Sequence, residues 1–153
     1  MHTGPWEEEV VPCSLIWHRM ETNNILHYRA TLIFGAVSGM TAVMLGAFGA
    51  HALKEQLIST GRLDTYHLAV TYQFYHALAL LVVGVIAQYG KTRQLSIAAV
   101  SFKAGMLIFS GSLYVLAIFD IPKAGAITPF GGVALIAGWL FVALHLYKSK
   151  RPS

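Results

Sequence analysis

Charge is scarce in this chain. Only 12% of its 153 residues are Asp, Glu, Lys or Arg, whereas 56% are hydrophobic. A soluble domain carries about twice that charged share, so the composition points to a membrane. Cysteine is nearly absent: Cys13 stands alone, which excludes an internal disulfide and any zinc centre built on cysteine pairs. A concentrated basic face is missing too. The formal net charge is +4, but the Lys and Arg residues are scattered at the ends of apolar runs. There they act as topology signals and not as a nucleic-acid footprint, so no nucleic-acid partner is expected. No secretory leader is expected, because residues 1–28 carry Glu7, Glu8 and Glu9 and are broken by Pro5 and Pro12 where a leader needs base and then grease. These residues read as a disordered or weakly ordered tail. Met20 opens a second candidate start, so residues 1–19 are either that tail or an over-called beginning.

What the chain does have is four long apolar runs. Ala30 to Ala50 carries no charge, and at about 1.5 Å per residue it crosses a hydrocarbon core of about 30 Å. The others cover about 66–89, 95–119 and 129–147. They are continuous, not alternating, which excludes barrel strands. Between the first two, Leu53, Leu57 and Ile58 fall at helical spacing and predict a short interfacial turn, broken at Ser59-Thr-Gly61. Thr128 and Pro129 predict an N-cap followed by proline at the first helical position. The expected architecture is all-α, an integral membrane four-helix bundle occupying residues 29–148, with a basic tail at 149–153.

Orientation follows from Lys and Arg placement. Arg19, Arg29, Lys91, Arg93, Lys148, Lys150 and Arg151 fall on one side, and only Lys54, Arg62 and Lys123 on the other. The N and C termini are therefore expected to be cytoplasmic.

Small residues recur in the first run. Gly35, Gly39, Ala42, Gly46 and Gly49 alternate at spacings of four and three, a stripe that lets another helix approach closely in a membrane. Gly111, Gly131, Gly132 and Gly138 extend the theme to the third and fourth runs.

The candidate polar cluster is Tyr72, Gln73 and His76, which helical spacing places on one face of the second run. Ser110 and Ser112 in the third run are candidates to bond their own backbone or to reach Gln73 or His76. Lys103 is the one charge inside an apolar run. Intramembrane charges are functional candidates, but its long stem also lets it snorkel to the cytoplasmic side. His76 lies about 13 Å from His67 along a straight helix, too far to share a metal. His51, His67 and Asp120 remain a conceivable outer trio, and no metal or haem is expected. No Gly-x-Ser-x-Gly elbow occurs and no acid lies within a turn of His76, so no enzyme is expected.

Four ordered motifs carry a resemblance. They are Gly46-Ala-Phe-Gly-Ala-His-Ala-Leu-Lys54, Tyr72-Gln-Phe-Tyr-His-Ala-Leu-Ala-Leu80, Phe109-Ser-Gly-Ser-Leu-Tyr114, and Gly125-Ala-Ile-Thr-Pro-Phe-Gly-Gly132 with Ala137-Gly-Trp139. Over about residues 30–147 the chain resembles the YgdD-like family of small bacterial inner-membrane proteins (domain of unknown function 423). The resemblance implies a four-helix inner-membrane protein and no established activity. The tail before Met20 and Lys103 depart from the family pattern. The expected partners are the lipid bilayer and either a second copy or another membrane protein; no cofactor is expected. The alternative is a carrier or channel for a small solute or proton along the polar face of the second helix.

The orientation is testable by cysteine labelling in a background lacking Cys13. Ser59→Cys and Ser153→Cys should react with an impermeant thiol reagent from opposite sides of the membrane; labelling from the same side refutes the expected topology.

Overall fold

The computed structural model describes the backbone of residues 13–90 and 92–149 and the side chains of residues 28–90 and 92–149. It holds five α-helices: α1 (Cys13–His51), α2 (Lys54–Ser59), α3 (Leu63–Gln88), α4 (Arg93–Phe119) and α5 (Thr128–Lys148), with a 3₁₀ turn at Pro122–Ala126 before α5. Four stretches of 24 to 27 residues are long and apolar enough to cross a membrane. They match the four expected runs.

Two boundaries differ in an informative way. α1 extends back to Cys13, so the stretch 13–28 expected as tail has a helical backbone; residues 1–12 lie outside the described residues. No Gly or Pro falls between Cys13 and Phe34, and extending an existing helix costs far less than nucleating one. The second difference corrects Thr128. It is the first helical residue of α5, Ile127 sits at the cap with helical dihedrals, and no side chain caps that end. The 3₁₀ turn runs straight into α5, which leaves no extended residue to do so. The Thr128 hydroxyl bonds sideways to Ser112 Oγ on α4 instead (2.8 Å).

The other ends follow ordinary capping and turn chemistry. Thr92, extended at φ −117° and ψ 156°, caps α4 by accepting from the Leu95 amide at 3.3 Å. α2 stops at Ser59, and Gly61 turns the chain at φ +68°, a conformation glycine adopts at no steric cost. The predicted interfacial turn is therefore a helix, with Leu57 fully buried and Ile58 exposed.

The spans pack in chain order, α1 along α3, α3 along α4, and α4 along α5. Buried residues make up 44% and 39% of the most apolar stretches of α3 and α4, but 17% of those flanking them. α3 and α4 are thus the centre, and α1 and α5 present large apolar side chains such as Met44 and Ile136 outward. Much of the core is alanine: Ala42, Ala69, Ala77, Ala98 and Ala117 are almost wholly buried. Lipid is as apolar as leucine, so helices in a membrane associate by close packing and not by hiding grease from water.

Glycine sets how close the two outer seams come. A Cβ at Gly49 would collide with the Tyr66 ring, and one at Gly35 would lie 3.0 Å from the Ala77 carbonyl oxygen. On α4 and α5, a Cβ at Gly131 would collide with the Phe109 backbone, one at Gly138 with the Phe102 ring, and one at Gly105 would lie 2.9 Å from the Leu135 nitrogen. Gly39, Gly46 and Gly132 leave ordinary van der Waals room, and a Cβ at Gly111 would meet nothing within 4 Å. The expected packing contact at Gly111 is therefore not made among the described residues; Gly111 instead lines a groove with Phe34, Ser38 and Gln73. Gly84, against Leu32, and Gly105 are close approaches that no stripe announced.

Gly131→Ala should cost about 1–3 kcal/mol, since a backbone atom cannot rotate out of the way. Gly111→Ala should be neutral or stabilising by up to about 1 kcal/mol from helix propensity alone. Unfolding both variants in one detergent checks the contrast.

Candidate functional site

The single polar face expected on α3 divides in two. At 100° per residue, Tyr72 and Gln73 point well apart, and α3 has neighbours on both flanks to receive them. Gln73 turns toward α1. Its Nε2 donates to the Ser38 carbonyl oxygen (3.0 Å) and to Thr41 Oγ1 (2.8 Å), while its Oε1 accepts from Tyr114 Oη on α4 (2.8 Å). Thr41 Oγ1 in turn donates to the Ser38 carbonyl oxygen (3.0 Å). One amide thus joins three helices, with both of its N–H groups engaged.

His76 turns the other way, toward α4 and α5. Its Nδ1 lies 2.8 Å from the Tyr72 carbonyl oxygen. A carbonyl can only accept, so Nδ1 carries the hydrogen. The imidazole stacks on Tyr72 (centroids 5.8 Å), meets Phe102 at 5.6 Å, and sits edge-on to Trp139 at 6.4 Å. Tyr72 stacks on Phe109 at 4.5 Å. His76 and Tyr72 therefore share an aromatic site that Gln73 does not join.

The serines do not reach either residue. Ser112 donates to the Phe109 carbonyl oxygen (2.9 Å) within α4 and bonds Thr128. Ser110 is buried, and its hydroxyl is the one fully buried side-chain polar atom without a hydrogen bond among the described residues. The residue that does reach Gln73 is Tyr114. Ser38, Thr41 and Tyr114 are the members that sequence reasoning missed; the available signal was Ser38 and Thr41 at i,i+3 in an otherwise apolar run.

Lys103 Nζ donates to Thr31 Oγ1 on α1 (3.1 Å) and lies 5.7 Å from the centroid of the Phe34 ring. Thr31 shares a crevice with Ser96 and Ala99, nearer the start of α4 than Lys103 itself. The stem thus runs back along the helix toward the side of Arg93, as snorkelling requires.

The end of the bundle that holds α2 is latched. Gln56 Nε2 on α2 donates to the Ile118 carbonyl oxygen (2.8 Å), satisfying one of the free carbonyls that end α4. Arg62 pairs with Asp120 at 2.8 Å. Asp120 is thereby engaged away from His51 and His67, and no three His, Cys, Asp or Glu side chains converge among the described residues. At the other end, Thr92 Oγ1 and His145 Nδ1 share a hydrogen bond of 2.9 Å that ties α4 to α5.

The pattern of a protein of unknown function, DUF423, matches residues 45–132. The chain belongs to the DUF423 family. It is 45% identical over 118 residues to a UPF0382 membrane protein of Staphylococcus aureus (strain bovine RF122 / ET3-1), covering 76% of this chain and 94% of that relative. It is 44% identical over 119 residues to a UPF0382 membrane protein of Staphylococcus saprophyticus, covering 76% and 96%. It is 42% identical over 118 residues to the UPF0382 membrane protein YwdK of Bacillus subtilis (strain 168), covering 76% and 95%. No solved structure matches. Membership makes the chain an integral, multi-pass membrane protein and brings no assigned chemistry to this DUF423 site.

Lys103→Met tests the reach of the lysine. One exchanged hydrogen bond in a membrane bundle averages about 0.6 kcal/mol, so stability in detergent should change by less than about 1 kcal/mol. A larger loss would mean that the ammonium holds α1 to α4.

Proposed function

We propose that this protein is a non-catalytic membrane component that works through its packing with lipid, with itself or with another membrane protein, its termini facing the cytoplasm. The observation that carries this reading is the Gln73 amide, whose donors and carbonyl are consumed by Ser38, Thr41 and Tyr114. A group so fully bonded within the protein is a fastener between helices. The segments between spans are also short, at most the eleven residues from Ala52 to Arg62, and leave little room for a soluble catalytic site.

The carrier or channel reading has less support. It needs Tyr72, Gln73 and His76 to line one path, whereas Gln73 faces α1 and His76 faces α5. Lys103 reaches a threonine at one end of the bundle and not a path past His76.

Gln73→Leu should cost about 1–2 kcal/mol in unfolding experiments in detergent, because Tyr114 and Thr41 lose their partner. Combining it with Tyr114→Phe should cost less than the sum of the two, by about 0.6 kcal/mol. Additive losses would remove the fastener. A pH-dependent solute flux in liposomes that Gln73→Leu abolishes while stability holds would replace this reading with transport.

A further inference from the structure

We propose that the groove between α3 and α5 beside His76 binds a lipid-soluble ring molecule carrying a hydroxyl, the chemistry of a quinol. The groove is open, about 520 Å³, and its walls include Tyr72, Tyr75, His76, Phe109, Gly132 and Trp139. That volume lies within the range of sites for small organic ligands, about 300–1,000 Å³. This inference goes beyond the fastener role, which uses the opposite flank of α3 and stands or falls separately.

Three observations select the occupant. The first is the tautomer. With Nδ1 donating to the Tyr72 carbonyl oxygen, a neutral His76 ring leaves Nε2 as an acceptor. His76 is only 6% exposed, and none of its hydrogen bonds to a described residue involves Nε2. His76 is part of the wall of this apolar groove, and an acceptor left open there calls for a donor. An acyl chain has none.

The second is depth. His76 lies thirteen residues from Leu63 and twelve from Gln88 on α3, so it is about 18–20 Å from either end at 1.5 Å per residue. A phospholipid headgroup stays at the interface, and a free anion or sugar does not enter hydrocarbon. The donor must arrive on a molecule that is itself soluble there. Tyr75 and Trp139, 60% and 52% exposed, leave the groove open sideways to such a molecule.

The third is wall chemistry. Tyr72, Phe109 and Trp139 offer ring faces and edges, which favour a flat aromatic guest by stacking. Gly132 keeps the α5 wall low, since a Cβ there would meet only the Phe109 ring, at 3.8 Å.

The test uses the full chain in lipid nanodiscs with Trp6→Phe and Trp17→Phe, so that Trp139 is the sole indole. Decylubiquinone is titrated as a fluorescence quencher under nitrogen, and decylubiquinol is scored by its relief of that quenching. Saturable quenching is expected. The quinol should displace the quinone at about one-tenth its concentration, because only the quinol can donate to Nε2 and one hydrogen bond is worth up to about tenfold. His76→Phe should erase that preference, and Gly132→Leu, which fills the groove without touching the hydrogen bond, should abolish saturation. Quenching that rises linearly with quinone in the lipid and is unchanged in Gly132→Leu overturns the proposal. So does equal affinity for quinol and quinone, or displacement by hexadecane as effective as by the quinol. If His76→Phe fails to fold, the Gly132→Leu result and the quinol-to-quinone ratio still decide.

Discussion

Hydrocarbon offers no hydrogen-bond partner, and the polar contacts described above, the Ser110 hydroxyl excepted, answer to that fact. Backbone groups are satisfied within helices, the solution open to a chain that lacks the pattern of a closed barrel. Side-chain donors are consumed as close to their origin as possible: Thr41 and Ser112 bond carbonyls three residues back on their own helices. Groups that their own helix does not satisfy reach across. Gln73 has two donors and a carbonyl, too many to satisfy locally, so it becomes the cross-link among α1, α3 and α4. Tyr66, fully buried, spends its hydroxyl on the Leu45 carbonyl oxygen at 2.7 Å and meets Tyr114 edge-on at 5.4 Å.

The second constraint is distance. Dispersion falls off within fractions of an ångström, so helices without a solvent-driven pull must touch at the backbone to hold. The α1–α3 and α4–α5 seams achieve this with glycine set against a neighbour's ring or main chain. The central α3–α4 seam uses larger pieces, with Phe102 and Leu80 fully buried in one cluster. Small residues thus attach the flanking helices to a bulkier middle pair.

The fold was legible because its signals are local. Charge-free length marks a span and Gly61 marks a turn, each without knowledge of any other segment. The site was less so. Tyr72, Gln73 and His76 share a sector of helical angle, but which flank each serves depends on where α1 and α5 lie. Tyr114 is forty-one residues from Gln73, and its role appears only once two helices are in register. Thr128 looked like a cap because residue type and a following proline say so; the 3₁₀ turn before it removed the geometry that a cap needs. Gly84 and Gly105 escaped notice because neither belongs to a stripe read from the sequence, while the contact depends on what stands opposite. The motifs that carry the family resemblance hold Tyr72, Gln73, His76 and Tyr114, yet a motif names residues without saying which of them touch.

The length of α1 has a mechanical corollary. Its thirty-nine residues make a rod of roughly 58 Å, longer than a bilayer of about 40–45 Å with its headgroups included. No proline or glycine interrupts the first twenty-two residues, so the part beyond the membrane is stiff with the part inside it. In a rod of that length, a lean of a few degrees at the seam with α3 would become a displacement of several ångströms at the projecting end.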